Sequence, residues 1–107
     1  MKAGKIEAEE TGLTNGHPAI IISGKMKTGT VCKVNGLLML DAATGAFEAH
    51  TSGAACIALE PITASTENAA VLLHGTFNRD AVVKANGTAL TAAELAAVQK
   101  ASQIFFV

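Results

Sequence analysis

Two short apolar runs separated by turn residues, within positions 37–60, restrict the fold of this chain more than any other feature. The segment reads LLMLDAATGAFEAHTSGAACIALE, and the runs are Leu37–Leu40 and Ala54–Leu59. Small and polar residues, Asp41–Gly45 and Thr51–Gly53, lie between them. Short unbroken apolar runs bounded by turn residues are typical of strands that are buried on both faces. The sequence therefore predicts a packed β-rich core, and nothing in this segment is built for chemistry.

The flanking sequence repeats the alternation of short apolar segments and turn signals. Asn35-Gly36 is a favoured hairpin turn because both positions accept positive φ, so Thr30–Leu40 is predicted to form a hairpin. Phe47 is expected to face inward, and Gly75 is expected to end the last long strand. Turns at intervals of about 8 to 12 residues are typical of compact β architectures. The other predicted strands are Pro18–Ser23, Ala46–His50 and Ala69–His74.

The clearest local signal is a capping box towards the end of the chain. Thr91 is placed to accept a hydrogen bond from the backbone N–H of Glu94, whose carboxylate can reach back to the N–H of Thr91. Leu90 and Leu95 occupy the positions of a hydrophobic staple. Strong helix formers follow, so a helix is predicted over residues 92–101.

The last residues, Gln103–Val107, form an apolar tail. Such a tail is expected to pair as a strand or to be buried in an interface, because a long apolar segment is unfavourable in water. With the preceding signals, it completes the predicted fold class. That class is α+β and mostly β: a compact small domain with one C-terminal helix and a flexible N-terminal arm.

Composition limits both the core and the class of function. Of the 107 residues, 21 are Ala and 30 are Leu, Ile, Val, Met or Phe, so a single domain with a light core is expected. Such small chains often gain stability from an oligomer interface. The net charge is −1 and Arg79 is the only arginine, so direct nucleic-acid binding is not expected. No run approaches the roughly 20 apolar residues of a membrane span, and no signal-peptide pattern is seen, which predicts synthesis in a reducing cytoplasm.

No residue pattern predicts catalysis or a cofactor. Cys32 and Cys56 lie in apolar segments and are interpreted as buried thiols rather than as a disulfide. His17, His50 and His74 form no metal-ligand spacing with them. The sequence contains no phosphate-binding glycine loop and no nucleophile elbow. The chain is therefore predicted not to be an enzyme and to use no metal or cofactor, and a hydrolase based on either thiol is kept only as a hypothesis for alkylation to test.

Residues 1–16 are polar and charged, end in Asn15-Gly16, and offer Ile6 and Leu13 as apolar contacts. Such a segment cannot bury enough apolar surface to fold by itself. Two interpretations stay open at this point: a frayed terminus, or an arm that orders on a partner by adding a strand to a sheet edge. The predicted organisation is an arm over residues 1–16 and a folded domain over residues 17–107.

Three short motifs occur in a specific order and spacing. They are Leu38-Met39-Leu40-Asp41, then Gly53-Ala54-Ala55 with Ile57, and then Gly75-Thr76-Phe77. Together they resemble the head decoration protein family of tailed phages, of the lambda protein D type. The resemblance covers about residues 37–107, including the Ala-rich helix and the apolar tail. The sequence departs from the type member before residue 37, where Ile20–Ile22 replaces a region rich in Pro, Ala and Gly, and it lacks that member's Trp and Tyr.

The resemblance implies a structural role on a virus capsid. Members of this family bind the outside of the expanded head as homotrimers, at three-fold and quasi-three-fold positions, and clamp the major capsid protein against the pressure of packaged DNA. Their N-terminal arm adds a strand to a capsid-protein sheet, which favours the arm interpretation here. The capsid contacts predicted on this basis are Lys2, Lys5, Ile6 and Leu13. The alternative function is a non-catalytic β-rich adaptor or ligand-binding module.

Overall fold

Six strands and one helix make up the structure, a computed structural model that describes residues 18–107. The fold is α+β and mostly β, a compact small domain with its helix near the C-terminal end, which confirms the predicted class for these residues. The flexible arm predicted over residues 1–16 lies outside them. The elements are β1 (Ile20–Lys25), β2 (Leu37–Asp41), β3 (Ala46–Ala49), β4 (Cys56–Ala58), β5 (Asn68–Phe77), α1 (Ala92–Ala101) and β6 (Ile104–Phe106).

Five strands form one sheet in the order β1-β5-β4-β2-β3, and every neighbouring pair is antiparallel. β6 lies parallel to the last part of β5, from Gly75 to Phe77. The sheet curls, because Met26, just after β1, forms a bridge with Phe47 of β3. The Lys27 N–H also donates to the Phe47 carbonyl at 2.9 Å. The two outer strands, β1 and β3, therefore meet at this end of the sheet.

Alternation along the central strands gives the sheet an apolar core on each face. Leu37 and Leu38 of β2 are both buried, but they belong to different clusters because consecutive strand side chains point to opposite faces. Val71 and Leu72 divide in the same way on β5. The helix-side cluster contains Leu37, Ala55, Ile57, Leu72, Val82, Val98, Ile104 and Phe106. The loop-side cluster contains Met26, Cys32, Leu38, Phe47, Ala58, Ile62, Ala69 and Val71.

Phe47 fills the loop-side cluster where β1 passes over it, which confirms the prediction that this side chain faces inward. The backbone of Gly24 lies so close to the ring that a Cβ at this position would stand 2.7 Å from Phe47 Cε2. A carbon–carbon contact this short is strongly repulsive, since the optimum is about 3.5–4.0 Å. The absence of a side chain at Gly24 is therefore what lets β1 approach the core.

The hairpin predicted over Thr30–Leu40 is wrong. β2 pairs with β3 on one edge and with β4 on the other, so neither edge is left for residues 30–34. Cys32 instead forms a bridge with Ile62. Asn35 does take a positive φ of 67°, and the Gly36 N–H donates to the Lys33 carbonyl at 2.9 Å, so a turn forms there. The local turn signal was correct, but the pairing of β2 elsewhere prevents the hairpin.

The hairpin that does form joins β2 to β3 through Asp41–Gly45. Asp41 Oδ1 accepts a hydrogen bond from the Ala43 N–H at 2.9 Å, and Gly45 takes a φ of 74°. Both features follow from the residue types, because aspartate bonds to the backbone two residues on and glycine accepts left-handed geometry without steric cost. This turn and the short strand after it confirm the prediction made for this part of the chain.

Two further predictions on the central strands need correction. Gly75 does not end β5, which continues to Phe77. Gly75 has a φ of 137°, and its N–H donates to the carbonyl of Gln103, just before β6. The tail thus supplies the backbone partners that let β5 continue, and the prediction that the tail pairs as a strand is confirmed. The prediction that Leu37–Leu40 is buried on both faces holds only for Leu37 and Leu38. Leu40 is exposed because it lies beside the turn, beyond the two apolar clusters.

The predicted helix and its capping box are confirmed at residues 92–101. The Glu94 N–H donates to Thr91 Oγ1 at 3.2 Å, and the Thr91 N–H donates to the Glu94 carboxylate at 2.9 Å. Lys84 adds an ion pair at 2.9 Å to the same carboxylate. The Thr91 N–H, followed by Lys84, lowers the pKa of Glu94 to about 2.

This pKa predicts a defined dependence of stability on pH. The unfolded chain has the ordinary pKa of 4.5, so the charged cap contributes its full stability above about pH 4.5 and loses it as the pH falls towards 2. An NMR titration of the Glu94 carboxyl carbon is expected to give a midpoint near 2 in the folded protein. Glu94→Gln keeps an acceptor for the Thr91 N–H and is expected to remove this part of the pH dependence. A midpoint close to 4.5 would contradict the capping geometry.

Candidate interaction surface

The four contact residues predicted from the family resemblance, Lys2, Lys5, Ile6 and Leu13, lie outside the described residues, as does the rest of 1–16. The described residues begin at Pro18, just after that segment. Pro18 leads into β1, and its carbonyl lies 2.9 Å from Nδ1 of His74 on β5. This contact holds the junction beside the sheet, next to the start of β1.

β1 begins with three exposed isoleucines. The exposed fractions of Ile20, Ile21 and Ile22 are 47%, 55% and 37%, and Ser23 beside them is exposed as well. These four residues, here called the isoleucine edge, carry no charge. Both faces of this part of β1 are uncovered, because neither apolar cluster includes any of its residues. The sequence correctly predicted a strand here, but strand propensity alone does not report that its side chains stay in water.

Within residues 18–107, the outer backbone edge of β1 also has no partner strand at the isoleucine edge. The Met26 N–H donates to Glu67, on the β5 side, whereas the Lys27 N–H donates to Phe47, on the β3 side. Backbone groups of successive strand residues alternate between the two edges, so Ile21 and Ser23 also direct theirs away from β5. Within residues 18–107, β3 begins at Ala46, alongside the last residues of β1, and does not reach Ile21 or Ser23. Among the described residues, nothing pairs with these outward donors and acceptors, which lie in an apolar setting.

Charged groups gather at the other end of β1, where the sheet closes. The Lys27 ammonium lies 3.0 Å from Asp41 and 3.6 Å from Glu48. The hydrogen bond from Lys27, with that from the Ala43 N–H, lowers the pKa of Asp41. The same contact, led by its hydrogen bond to Asp41, raises the pKa of Lys27. Lys27 and Asp41 therefore both stay ionised near neutral pH, and their charges compensate each other.

A cleft of about 390 Å³ lies between α1 and the loop after β3. Leu37, Leu90 and Val98 provide apolar walls, and the Lys84–Glu94 ion pair lies at its side. His50 also lines it, with Nε2 at 2.9 Å from the Gly53 carbonyl oxygen. The volume is within the range of small-molecule sites, about 300–1,000 Å³. No signal in the sequence indicated this cleft, because its walls come from distant segments.

The two cysteines are free, and burial raises the pKa of each thiol to about 11. Cys32 is buried as predicted, whereas Cys56 is only partly covered, so the prediction of two buried thiols is wrong for Cys56. The Cys32 Sγ lies 3.8 Å from the Leu37 carbonyl oxygen, a weak hydrogen bond. Neither environment favours the thiolate, which is the reactive form.

Both thiols are therefore expected to react slowly with iodoacetamide in the native protein near pH 7.5. Mass spectrometry is expected to show little modification of Cys32 and slow modification of Cys56, and rapid modification of both after denaturation. The denatured sample is the control for reagent and access. Fast native alkylation of either thiol would contradict the raised pKa and would revive the hydrolase hypothesis.

No group of three or more His, Cys, Asp or Glu side chains within residues 18–107 is arranged to hold a metal ion. In the same part of the chain, no helix has both the length and the apolar character needed to cross a membrane. The site that the described residues offer is thus an interaction surface, the isoleucine edge, together with a small cleft. Comparison of the sequence with protein-family models and with curated proteins found no match.

Proposed function

We propose that this chain is a structural decoration protein of a phage capsid. It binds the outer surface of the expanded head as trimers at three-fold and quasi-three-fold positions, and it stabilises the head against packaged-DNA pressure. Its partners are the major capsid protein and two further copies of itself. It is made in the host cytoplasm and ends on the virion, and it needs no catalytic group or cofactor for this role.

The observation that carries the proposal is the order and spacing of the three family-like motifs. In the fold, the first motif spans most of β2, the second leads into β4, and the third forms the last part of β5. β2, β4 and β5 are neighbours in the sheet, and each contributes residues to both apolar clusters. The motifs therefore belong to one structural unit, as residues that specify a common fold should, and this supports their interpretation as a set.

Physical considerations also support a clamp. A clamp requires rigidity and several simultaneous contacts, and three modest arm contacts on one trimer reinforce one another through effective concentration. The net charge of −1 allows dense coverage of a surface with little repulsion between neighbouring copies. At the junction of the arm, the Pro18 carbonyl contacts His74, so the junction is fixed to β5 as well as continuous with β1.

The direct test is co-sedimentation of the protein with expanded, undecorated phage heads. Binding that saturates at three copies per three-fold or quasi-three-fold position, and heads that withstand more heat after decoration, are the expected results. Unexpanded heads serve as the control and are expected to bind far less. Failure to bind expanded heads of any candidate host phage, at protein concentrations well above those on a saturated shell, would refute the proposal.

The cleft beside α1 favours the alternative, a β-rich adaptor or ligand-binding module, because apolar walls and a few polar groups converge there. Ala97 lines the cleft from the exposed side of α1, so Ala97→Trp fills it at little expected cost to the fold. Under the capsid proposal, Ala97→Trp binds heads normally. Under the alternative, a ligand raises the melting temperature of the wild type but not that of Ala97→Trp, and neither protein binds heads.

A further inference from the structure

We infer that two copies of this chain associate through the isoleucine edge, with β1 of one copy pairing antiparallel to β1 of the other. The two-fold axis passes through Ile21. This contact is separate from the three-fold contact of a decoration trimer, and the inference does not depend on the proposed function.

The backbone of β1 defines the occupant as another extended strand. Ile21 and Ser23 direct their N–H and carbonyl groups outwards, at the spacing of a β ladder, and β3 does not reach them. A strand that docks there gains main-chain hydrogen bonds and extends the sheet. Further along the chain, the same edge is already paired, because the Lys27 N–H donates to the Phe47 carbonyl. The part of the edge that remains available is therefore short.

The side chains of the isoleucine edge lack the features that normally prevent an edge strand from pairing with another chain. Soluble proteins protect exposed edges with charges, prolines or bulges that turn the edge away. From Ile20 to Gly24 there is no charge and no proline, and the register irregularity between Ile20 and Ile21 adds its extra residue to β5, not to β1. Three isoleucines on one short strand match the composition of a strand that is covered on both faces.

Two-fold symmetry makes this strand complementary to itself. In an antiparallel pair centred on Ile21, each Ile21 lies opposite the same residue of the second copy, and Ile20 of each copy lies opposite Ile22 of the other. All six isoleucines then form cross-strand apolar pairs. The charged residue nearest the edge, Lys25, lies four positions from the axis, so the two lysines are at opposite ends of the pair.

The chain's own N-terminal segment is a poorer match to this edge. Residues 1–17 carry five charged side chains, Lys2, Lys5, Glu7, Glu9 and Glu10. If that segment folded back through the favoured turn at Asn15-Gly16, Glu10 and Glu9 would lie opposite Ile21 and Ile22. A glutamate opposite an isoleucine makes no apolar cross-strand pair, and glutamate is depleted in strands. A second copy offers apolar partners at the same positions.

The contact is small compared with a standard interface, which covers about 800 Å² per partner. One short strand with three isoleucines is below that size, so association is expected to be weak and to depend on protein concentration. On a surface that holds many copies close together, the same contact becomes stronger through effective concentration. The isoleucine edge is therefore a lateral contact that operates best when copies are crowded.

Sedimentation analysis of the full chain across a wide concentration range tests this inference. The wild-type mass is expected to rise from its value at the lowest concentration. It is expected to double if the smallest assembly is a monomer and to rise beyond double if it is a trimer, which has three isoleucine edges. Ile21→Lys is expected to stay at the smallest mass, because a charge on the edge blocks strand pairing. Leu40→Lys is the matched control, since Leu40 is as exposed as Ile21 but lies on β2, and it is expected to behave as wild type.

A cysteine on the two-fold axis tests the register. Residues that face each other in a hydrogen-bonded antiparallel pair have Cα atoms about 5.5 Å apart, within disulfide range. Ile21→Cys is therefore expected to form disulfide-linked pairs under mild oxidation. Ser23→Cys is the control, because the two copies of residue 23 would be about 14 Å apart at about 3.4 Å per residue, and it is expected not to link.

Four outcomes would overturn the inference. The first is a wild-type mass that does not rise with concentration. The second is Ile21→Lys associating like the wild type, and the third is Ser23→Cys linking as readily as Ile21→Cys. The fourth is association that occurs only after deletion of residues 1–17, which would show that the chain's own segment covers the edge. None of these measurements involves phage heads, so their results do not depend on the capsid proposal.

Discussion

Replacing Leu38 with alanine is expected to lower the free energy of unfolding by about 2–5 kcal/mol, the range for removing a buried leucine side chain. Leu38 lies on the central strand β2, is completely buried, and packs in the loop-side cluster with Phe47 and Val71. Both neighbours of β2 are paired strands, so the backbone cannot shift easily to close the cavity. A domain of this size has a total stability of roughly 5–15 kcal/mol, so the variant loses a large share of it.

Leu40→Ala is the matched control for this prediction. Leu40 is the same residue type on the same strand and points to the same face as Leu38, but it is 54% exposed. Its truncation is expected to cost well under about 1 kcal/mol, since most of the side chain already contacts water. Urea unfolding of both variants gives the comparison. Equal losses at the two positions would show that the loop-side cluster does not have the arrangement described.

Deleting residues 1–16 is expected to reduce binding to expanded heads by about 10²-fold or more while leaving the fold intact. In the proposed trimer three arms act together, so losing all three removes the multivalent gain as well as each contact. The fold is expected to survive because residues 1–16 are polar and charged and offer little apolar surface to a core. Circular dichroism and the melting temperature check the fold, and co-sedimentation checks the binding.

Two full-length variants refine the deletion. Ile6→Ser with Leu13→Ser keeps the arm length and removes its apolar contacts, whereas Lys2→Ser with Lys5→Ser removes two positive charges. If a strand of the arm docks on a capsid sheet, the apolar pair is expected to weaken binding more, and the lysine pair to reduce mainly its salt dependence. Truncated protein that decorates expanded heads as well as the full chain would refute the role of the arm.

Signals contained within a few residues could be predicted from the sequence. The capping box that begins at Thr91 needs only backbone and side chains within one turn, and the helix lies over the predicted residues. The Asp41–Gly45 turn is equally local, because the aspartate bonds two residues ahead and Gly45 supplies the left-handed geometry. Leu37 and Leu38 were correctly predicted as buried on opposite faces, since alternation is a property of the strand itself.

Predictions failed where they depended on which segments meet. The hairpin over Thr30–Leu40 did not form because β3 and β4 occupy both edges of β2. Gly75 did not end β5 because β6, almost thirty residues later, supplies its backbone partners. The candidate site shows the same limit. The predicted contacts at Lys2, Lys5, Ile6 and Leu13 lie outside the described residues, and the exposure of Ile20–Ile22 could not be read from residue type.

The sequence by itself determined the fold class, the helix with its cap, and the local turns, because these depend on interactions between residues close in the chain. Only the tertiary structure decided the strand order, the division of apolar residues between two clusters, and the exposure of Ile20–Ser23. An isoleucine has the same β preference on a covered strand and on an exposed one. Its burial depends on whether a distant segment reaches it, and here β3 begins too late to do so.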